Sequence, residues 1–238
     1  VVKRLMNPDF IYFDLDNTLL NHSSAETNAQ RVTYESYPEL QRVTLDEWLN
    51  AYRVNNHMLW SRYQRNEIDR HHLQFSRFHD TMKELNMDTS VSSEIGSAYM
   101  TNYRNHWIWV EGAKEALERV SRKYKTGIIT NGFKETQEKK FEIMELNRYC
   151  KTFLISEDVG KMKPHPAVFD KASDMAGVER NKILYVGDSY VSDIEGGSNA
   201  GWSTAWYTGF ETDMSNGNRN RASVTFSDFA TLTNLLDV

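Results

Sequence analysis

Cysteine is nearly absent: Cys150 is the only one in 238 residues. A single thiol excludes an internal disulfide and any metal site built from several cysteines. Long apolar runs are absent too. None approaches the ~20 residues that a membrane-spanning helix needs, and the mean hydropathy is −0.64. Neither sign of charge dominates: 28 Lys and Arg stand against 33 Asp and Glu, a net −5. That balance gives no sign of a basic surface suited to wrapping a nucleic-acid polymer, and no such partner is expected. No internal repeat or low-complexity tract interrupts the chain, and "SNGNRN" (215–220) reads as a polar loop. The opening "VVKRLMNPDF" lacks an apolar stretch followed by a small-residue cleavage site. Together these absences lead to the expectation of a cytoplasmic globular protein with no membrane partner.

What is present falls into two textures. Residues 9–14 read as a first strand and 21–26 ("NHSSAE") as a polar loop. From about 27 to 106 no strand is expected. Thr44 followed by Glu47 is a capping-box pattern that opens a helix carrying Trp48, Tyr52, Leu59 and Tyr63 at near-helical spacing. Phe75, Phe78, Met82 and Leu85 repeat the pattern, and Ile95, Tyr99 and Tyr103 suggest another helix. Beyond this block strands and helices alternate. "TGIIT", "TFLIS", "KILYVGD" and "STAWYTG" read as strands. "EGAKEALERVSRKY", "KETQEKKFEIMELNRY", "PAVFDKASDMAG" and "VSDIEGGSNAG" read as helices. Strict alternation implies an α/β fold, a doubly wound, Rossmann-like parallel sheet. The first strand belongs with it, so the all-helical block is an insertion.

Ligands in such a sheet sit beyond the carboxyl ends of its strands. Those ends carry Asp14 and Asp16, then Thr130–Asn131–Gly132, then Asp188 and Asp193, with Lys161 and Lys163 in "GKMKPHP". Carboxylates, a hydroxyl and a lysine delivered to one edge suit Mg²⁺ and a phosphoryl group, since Mg²⁺ takes hard oxygen ligands. A lone D-x-D-x-T arises by chance in about a few per cent of chains this long, but with G-D-x-x-x-x-D also present in order the chance falls well below ~1%. The pattern is therefore informative as a set. Trp48, Tyr52, Trp60 and Tyr63 read as packing, and Arg62, His57, His71 and His72 as solvated side chains. Phe133, after "TNG", is open between stacking on a base and packing.

"DLDNTL", "IITNG", "KMKP" and "GDSYVSD" resemble the four ordered motifs of the haloacid dehalogenase-like superfamily of phosphatases. The resemblance implies a catalytic core over residues 1–20 and 108–238, with an inserted α-helical cap domain over 21–107. The segments near 20–26 and 104–111 would be its hinges. Asn17 stands where many members have glycine. The resemblance further implies that Asp14 is the nucleophile that forms an aspartyl-phosphate. Asp16 would protonate the leaving alkoxide and then take a proton from water. The Thr130 hydroxyl and the Asn131 backbone N–H would hold phosphoryl oxygens, and Lys163 would counter their charge. Mg²⁺ would bind the Asp14 and Asp188 carboxylates and the Asp16 carbonyl, with Asp193 behind them. Family dehalogenases lack the second aspartate, so Asp16 favours phosphoryl chemistry. "VNNHMLWSRYQRNEI", "GIITNGF" and "LISEDVGKMKPHPAVFD" resemble the bacterial pyrimidine 5′-nucleotidase subfamily. The expected substrate is then a small phosphorylated metabolite, a nucleoside monophosphate. A sugar phosphate or phosphoglycolate, a phosphomutase reaction, and a non-catalytic phosphate- or partner-binding module are the alternatives.

Overall fold

The computed structural model describes residues 8–211 and 220–238, so residues 215–219 of the expected polar loop lie outside the described residues. The chain forms two compact units. One takes in the chain up to Asn21 and from Trp109 onward; the other is His22–Ile108.

The second unit is helical: α1 (His22–Ser36), α2 (Leu45–Gln64), α3 (Arg70–Glu84) and α4 (Ser92–Arg104). The residues expected to be a loop at 22–26 are instead the first turn of α1. Polar Ser23, Ser24 and Glu26 suggested a loop, but Ala25, Ala29, Gln30 and Thr33 line a buried stripe at helical spacing and fix the helix. Thr44 caps α2 with the full reciprocal box to Glu47. The rings of Tyr52, Phe78 and Tyr99 meet at 5.2–5.7 Å in the centre of this unit. Phe75, expected on the buried face of α3, is 50% exposed. The stripe that turns inward there is Leu73, Arg77, Phe78 and Met82, and it puts Phe75 on the outer side.

The first unit is built on strands β1 (Phe10–Phe13), β2 (Lys125–Thr130), β3 (Thr152–Ile155), β4 (Ile183–Gly187), β5 (Ser203–Tyr207) and β6 (Val224–Phe226). They form one parallel sheet in the order β3-β2-β1-β4-β5-β6. Between them run α5 (Ala113–Lys123), α6 (Lys134–Ile143), the single turn α7 (Ser156–Val159), α8 (Pro166–Ala176) and the short α9 (Gly196–Asn199), and α10 (Phe229–Leu236) follows β6. Side chains of β1 alternate between two cores. Ile11 and Phe13 join Leu117, Val120, Phe229 and Leu232 on one face. Phe10 and Tyr12 join Phe169, Ala172, Tyr185 and Trp202 on the other. Burial on both faces is what a continuous apolar strand in a doubly wound sheet predicts.

The structure differs from expectation in two further places. "VSDIEGGSNAG" is not one regular helix but a π-helical turn, Tyr190–Glu195, running into α9. β6 and α10 follow the last strand anticipated from sequence. Among the described residues, no helix is long and apolar enough to cross a membrane.

Candidate active site

The order of the strands makes β1 and β4 neighbours, with Phe10 paired to Ile183, although 169 residues separate the end of β1 at Phe13 from the start of β4 at Ile183. Here the sheet reverses its winding, and a crevice opens beyond the strand ends. β1 ends at Phe13, and the Asp14 N–H still donates to the Val186 carbonyl at 2.8 Å. The chain then turns back on itself, with the Leu19 and Leu20 N–H groups donating to the Leu15 carbonyl. Asn17 occupies the left-handed region at φ 61°. Asparagine tolerates that conformation better than other side chains, which accounts for its presence where the resembling family often has glycine.

Lys163 is the hub of the buried part. Its Nζ lies 2.6 Å from Asp14 Oδ1, 2.8 Å from Asp193 Oδ1, 2.7 Å from the Tyr185 hydroxyl and 3.1 Å from the Ile129 carbonyl. Burial alone would pull its ammonium down, and the charges of Asp14 and Asp193 more than reverse that effect. Asn131 sets the hub in place through its side chain. Its Oδ1 accepts from the Lys163 N–H at 2.9 Å, and its Nδ2 donates to the Lys163 carbonyl at 3.1 Å. Lys161, two residues earlier, is exposed. The second oxygen of Asp193 accepts from the Ser189 N–H at 3.0 Å. Gly187 makes that approach possible, because a Cβ there would overlap the Asp193 carboxylate.

Carboxylate oxygens of Asp14, Asp188 and Asp193 all lie within 4.8 Å of one another. Thr18 Oγ1 is 3.2 Å from both Asp14 Oδ2 and Asp188 Oδ1, so one hydroxyl proton serves two acids. The Asp188 carbonyl accepts from the Trp206 indole at 2.8 Å. When ionised, three acids facing one ammonium leave two negative charges uncompensated, the charge of one divalent cation. Burial raises the Asp14 carboxyl to about 7, with the Asp193 charge adding and the Lys163 charge opposing. Burial, then Asp14 and Asp193, pushes Asp188 well above the usual carboxylate range. Hard oxygen donors and surplus negative charge fit Mg²⁺.

Asp16 lies apart from that trio. In a continuing strand it would share a side with Asp14, but the strand has ended. Its Oδ1 accepts from Lys140 Nζ at 2.6 Å and its Oδ2 from Gln137 Nε2 at 2.9 Å. Thr130, fully buried, accepts from the same Gln137 nitrogen at 2.6 Å. Sequence reasoning missed Thr18, Gln137, Lys140 and Tyr185. For Thr18 a signal exists, since it completes D-x-D-x-T; the other three sit within elements whose composition does not mark them. Phe133 is buried at the start of α6, and its carbonyl accepts from the Thr136 and Gln137 N–H groups.

The sequence profile of the haloacid dehalogenase-like hydrolases matches residues 11–207. The chain is 33% identical over 220 residues to the pyrimidine 5′-nucleotidase YjjG of Escherichia coli K12, covering 89% of this chain and 91% of that protein. It is 29% identical over 202 residues to the pyrimidine 5′-nucleotidase PynA of Streptococcus pneumoniae, covering 83% of each. Among solved structures, the magnesium-bound HAD-hydrolase YfnB of Bacillus subtilis superposes with a TM-score of 0.83 at 24% identity, covering 98% of this chain and 100% of that one. The matched span, the relatives at this coverage and the ordered acids at the strand ends agree: the chain is an enzyme of the haloacid dehalogenase-like hydrolase family.

Proposed function

We propose that this hydrolase is a Mg²⁺-dependent phosphatase that cleaves phosphate monoesters through an aspartyl-phosphate on Asp14, with pyrimidine nucleoside monophosphates as its substrates. The observation that carries the reading is the Asp14–Asp188–Asp193 cluster with Lys163 at 2.6 Å from the Asp14 carboxylate. The Asp14 and Asp188 carboxylates and the Asp16 carbonyl would hold the metal. When bound, it supplies positive charge that offsets both the acids and the phosphoryl oxygens.

In the first half-reaction an Asp14 oxygen attacks phosphorus, the ester P–O bond breaks, and Asp16 gives its proton to the departing alkoxide. In the second, Asp16 takes a proton from water, water oxygen attacks phosphorus, and the P–O bond to Asp14 breaks. Lys163 holds Asp14 oriented throughout, while Thr130 and the Asn131 N–H receive phosphoryl oxygens. Positioned charge of this kind supplies most of the catalysis in phosphoryl transfer.

The nucleotide assignment is supported by the names of two relatives and by the three segments quoted above, one in the cap and two in the core. A further relative, 29% identical over 202 residues, is named glyceraldehyde 3-phosphate phosphatase, so sugar phosphates belong in the test. Phosphate release is measured from dUMP, dTMP, UMP, sugar phosphates, phosphoglycolate and p-nitrophenyl phosphate, with Mg²⁺ and with EDTA. The expected result is metal-dependent release strongest for dUMP or dTMP, abolished in Asp14→Asn with the fold retained. Preference for a sugar phosphate would overturn the substrate; undiminished turnover in Asp14→Asn would overturn the nucleophile.

A further inference from the structure

α6 follows the Thr130–Asn131–Gly132 turn and turns an unusual face inward. Its buried side chains are Thr136, Gln137 and Lys140, all polar. Lys139 and Glu142, by contrast, are exposed and paired with each other. Gln137 and Lys140 stand three residues apart, on one side of the helix. Lys140 is 2% exposed, and a buried ammonium costs several kcal/mol unless an acid and further acceptors meet it. The acid it meets, Asp16, is itself 25% exposed, so the pair opens onto the crevice.

Gln137 ties this pair to the phosphate side of the site. Its Nε2 faces Asp16 Oδ2 at 2.9 Å, Thr130 Oγ1 at 2.6 Å and the Asn131 carbonyl at 3.2 Å. All three neighbours are oxygens, and two of them can only accept, which fixes the amide's orientation. Because Thr130 accepts from Gln137, its own proton is left to donate, here to the Asn131 carbonyl at 3.2 Å. The approach depends on Gly132. Its φ of 145° is hard for an L side chain, and a Cβ there would stand 3.0 Å from Gln137 Nε2.

We propose that Lys140 and Gln137 are positioning residues for Asp16, holding its carboxylate from both oxygens in register with the Thr130 hydroxyl. Lys163 and Asn131 organise the nucleophile side of the crevice; the α6 pair organises the leaving-group side. The inference rests on the phosphatase reading above, in which Asp16 protonates the leaving oxygen. It has a consequence that a purely structural role lacks. An alkoxide leaves poorly without a proton, whereas p-nitrophenolate departs as an anion. Misplacing Asp16 should therefore matter far more for alkyl phosphates than for p-nitrophenyl phosphate.

The test is kcat/KM for Lys140→Met, Lys140→Arg and Gln137→Leu on the best alkyl phosphate of the panel, dUMP by expectation, and on p-nitrophenyl phosphate. This parameter covers the steps up to leaving-group departure. The same substitutions are made in an Asp16→Asn background, and the inhibition constant of inorganic phosphate is measured for each variant. For Lys140→Met we expect a loss on the order of 100-fold with the alkyl ester. That loss should exceed the loss on p-nitrophenyl phosphate at least tenfold, be partly rescued by arginine, and disappear in the Asp16→Asn background. Equal losses on both esters, a full further loss in Asp16→Asn, or weaker inhibition by phosphate would overturn the proposal and make Lys140 a scaffold or a phosphate ligand. Gln137→Leu decides the same question if Lys140→Met does not fold. A wild type inactive on every ester removes the phosphatase reading and this inference together, whereas an active wild type with leaving-group-independent losses removes the inference alone.

Discussion

Thr18 shows how much one hydroxyl can be asked to do. Its hydroxyl oxygen, with one proton to give, lies 3.2 Å from an oxygen of Asp14 and 3.2 Å from one of Asp188. It is fully buried, and it braces the two carboxylates assigned to the metal. Partners of this kind typically change metal affinity by about 10–100-fold when removed. Thr18→Val keeps the shape and removes the hydrogen bonds, so the Mg²⁺ concentration for half-maximal activity should rise by at least about tenfold. A titration of activity against Mg²⁺ checks this, and an unchanged midpoint would show that the acids hold themselves. The site was only partly legible at this scale. Asp14, Asp188 and Lys163 are readable because their motifs occur in order at strand ends. Lys140 and Gln137 are not, because "KETQEKK" offers nothing to separate Lys140 from Lys139. Only the packing of α6 decides which lysine turns inward.

Among the elements, strands buried on both faces were the easiest to read, since an unbroken apolar run has few other homes. α1 is hidden because its serines and Asn28 favour loops locally, and the tertiary contacts of Ala25 and Ala29 overrule that preference. The stretch after β4 misleads for the opposite reason. Its pattern is helical, but Ser189 caps it and Asp193 is drawn back to the Ser189 N–H, which widens the first turn. β6 has only three residues, too few for a pattern. One element-scale prediction comes from the β2–β3 pairing. Gly127 lies against the Tyr12 ring and opposite Thr152, and a Cβ there would overlap both. Gly127→Ala should lower stability by about 1–3 kcal/mol through overpacking. At about 2–4 °C per kcal/mol for a chain of this size, thermal unfolding resolves it; an unchanged Tm would mean that Tyr12 yields without cost.

For the molecule as a whole, the uncompensated acids couple stability to pH and to metal. The folded Asp14 carboxyl sits at about 7, raised first by burial, against an unfolded value of about 4. Between those values the folded state holds a proton that the unfolded state has released. Stability from this group is therefore present at low pH and lost as pH rises through about 7. In EDTA, the Tm difference between wild type and Asp14→Asn should shift against the wild type across that window. Mg²⁺, which favours the ionised acids, should restore wild-type Tm most at neutral pH. A difference that is flat with pH would mean that Lys163 already keeps Asp14 ionised. The sheet order has another consequence, in the time domain. β1 pairs with strands that begin at Lys125 and Ile183, so during synthesis it has no neighbouring strand until the 111 residues between Phe13 and Lys125 have been made. Residues 22–108 are continuous in sequence and bury a core of their own, and they can condense meanwhile. Closing so long a loop adds little to the equilibrium cost, since each doubling of length costs only about 0.6 kcal/mol. It delays pairing instead. Until then Phe10–Phe13 is a bare apolar strand, a segment for chaperones to shield. Asp14, the proposed nucleophile, is made long before the β4 neighbour that shelters it.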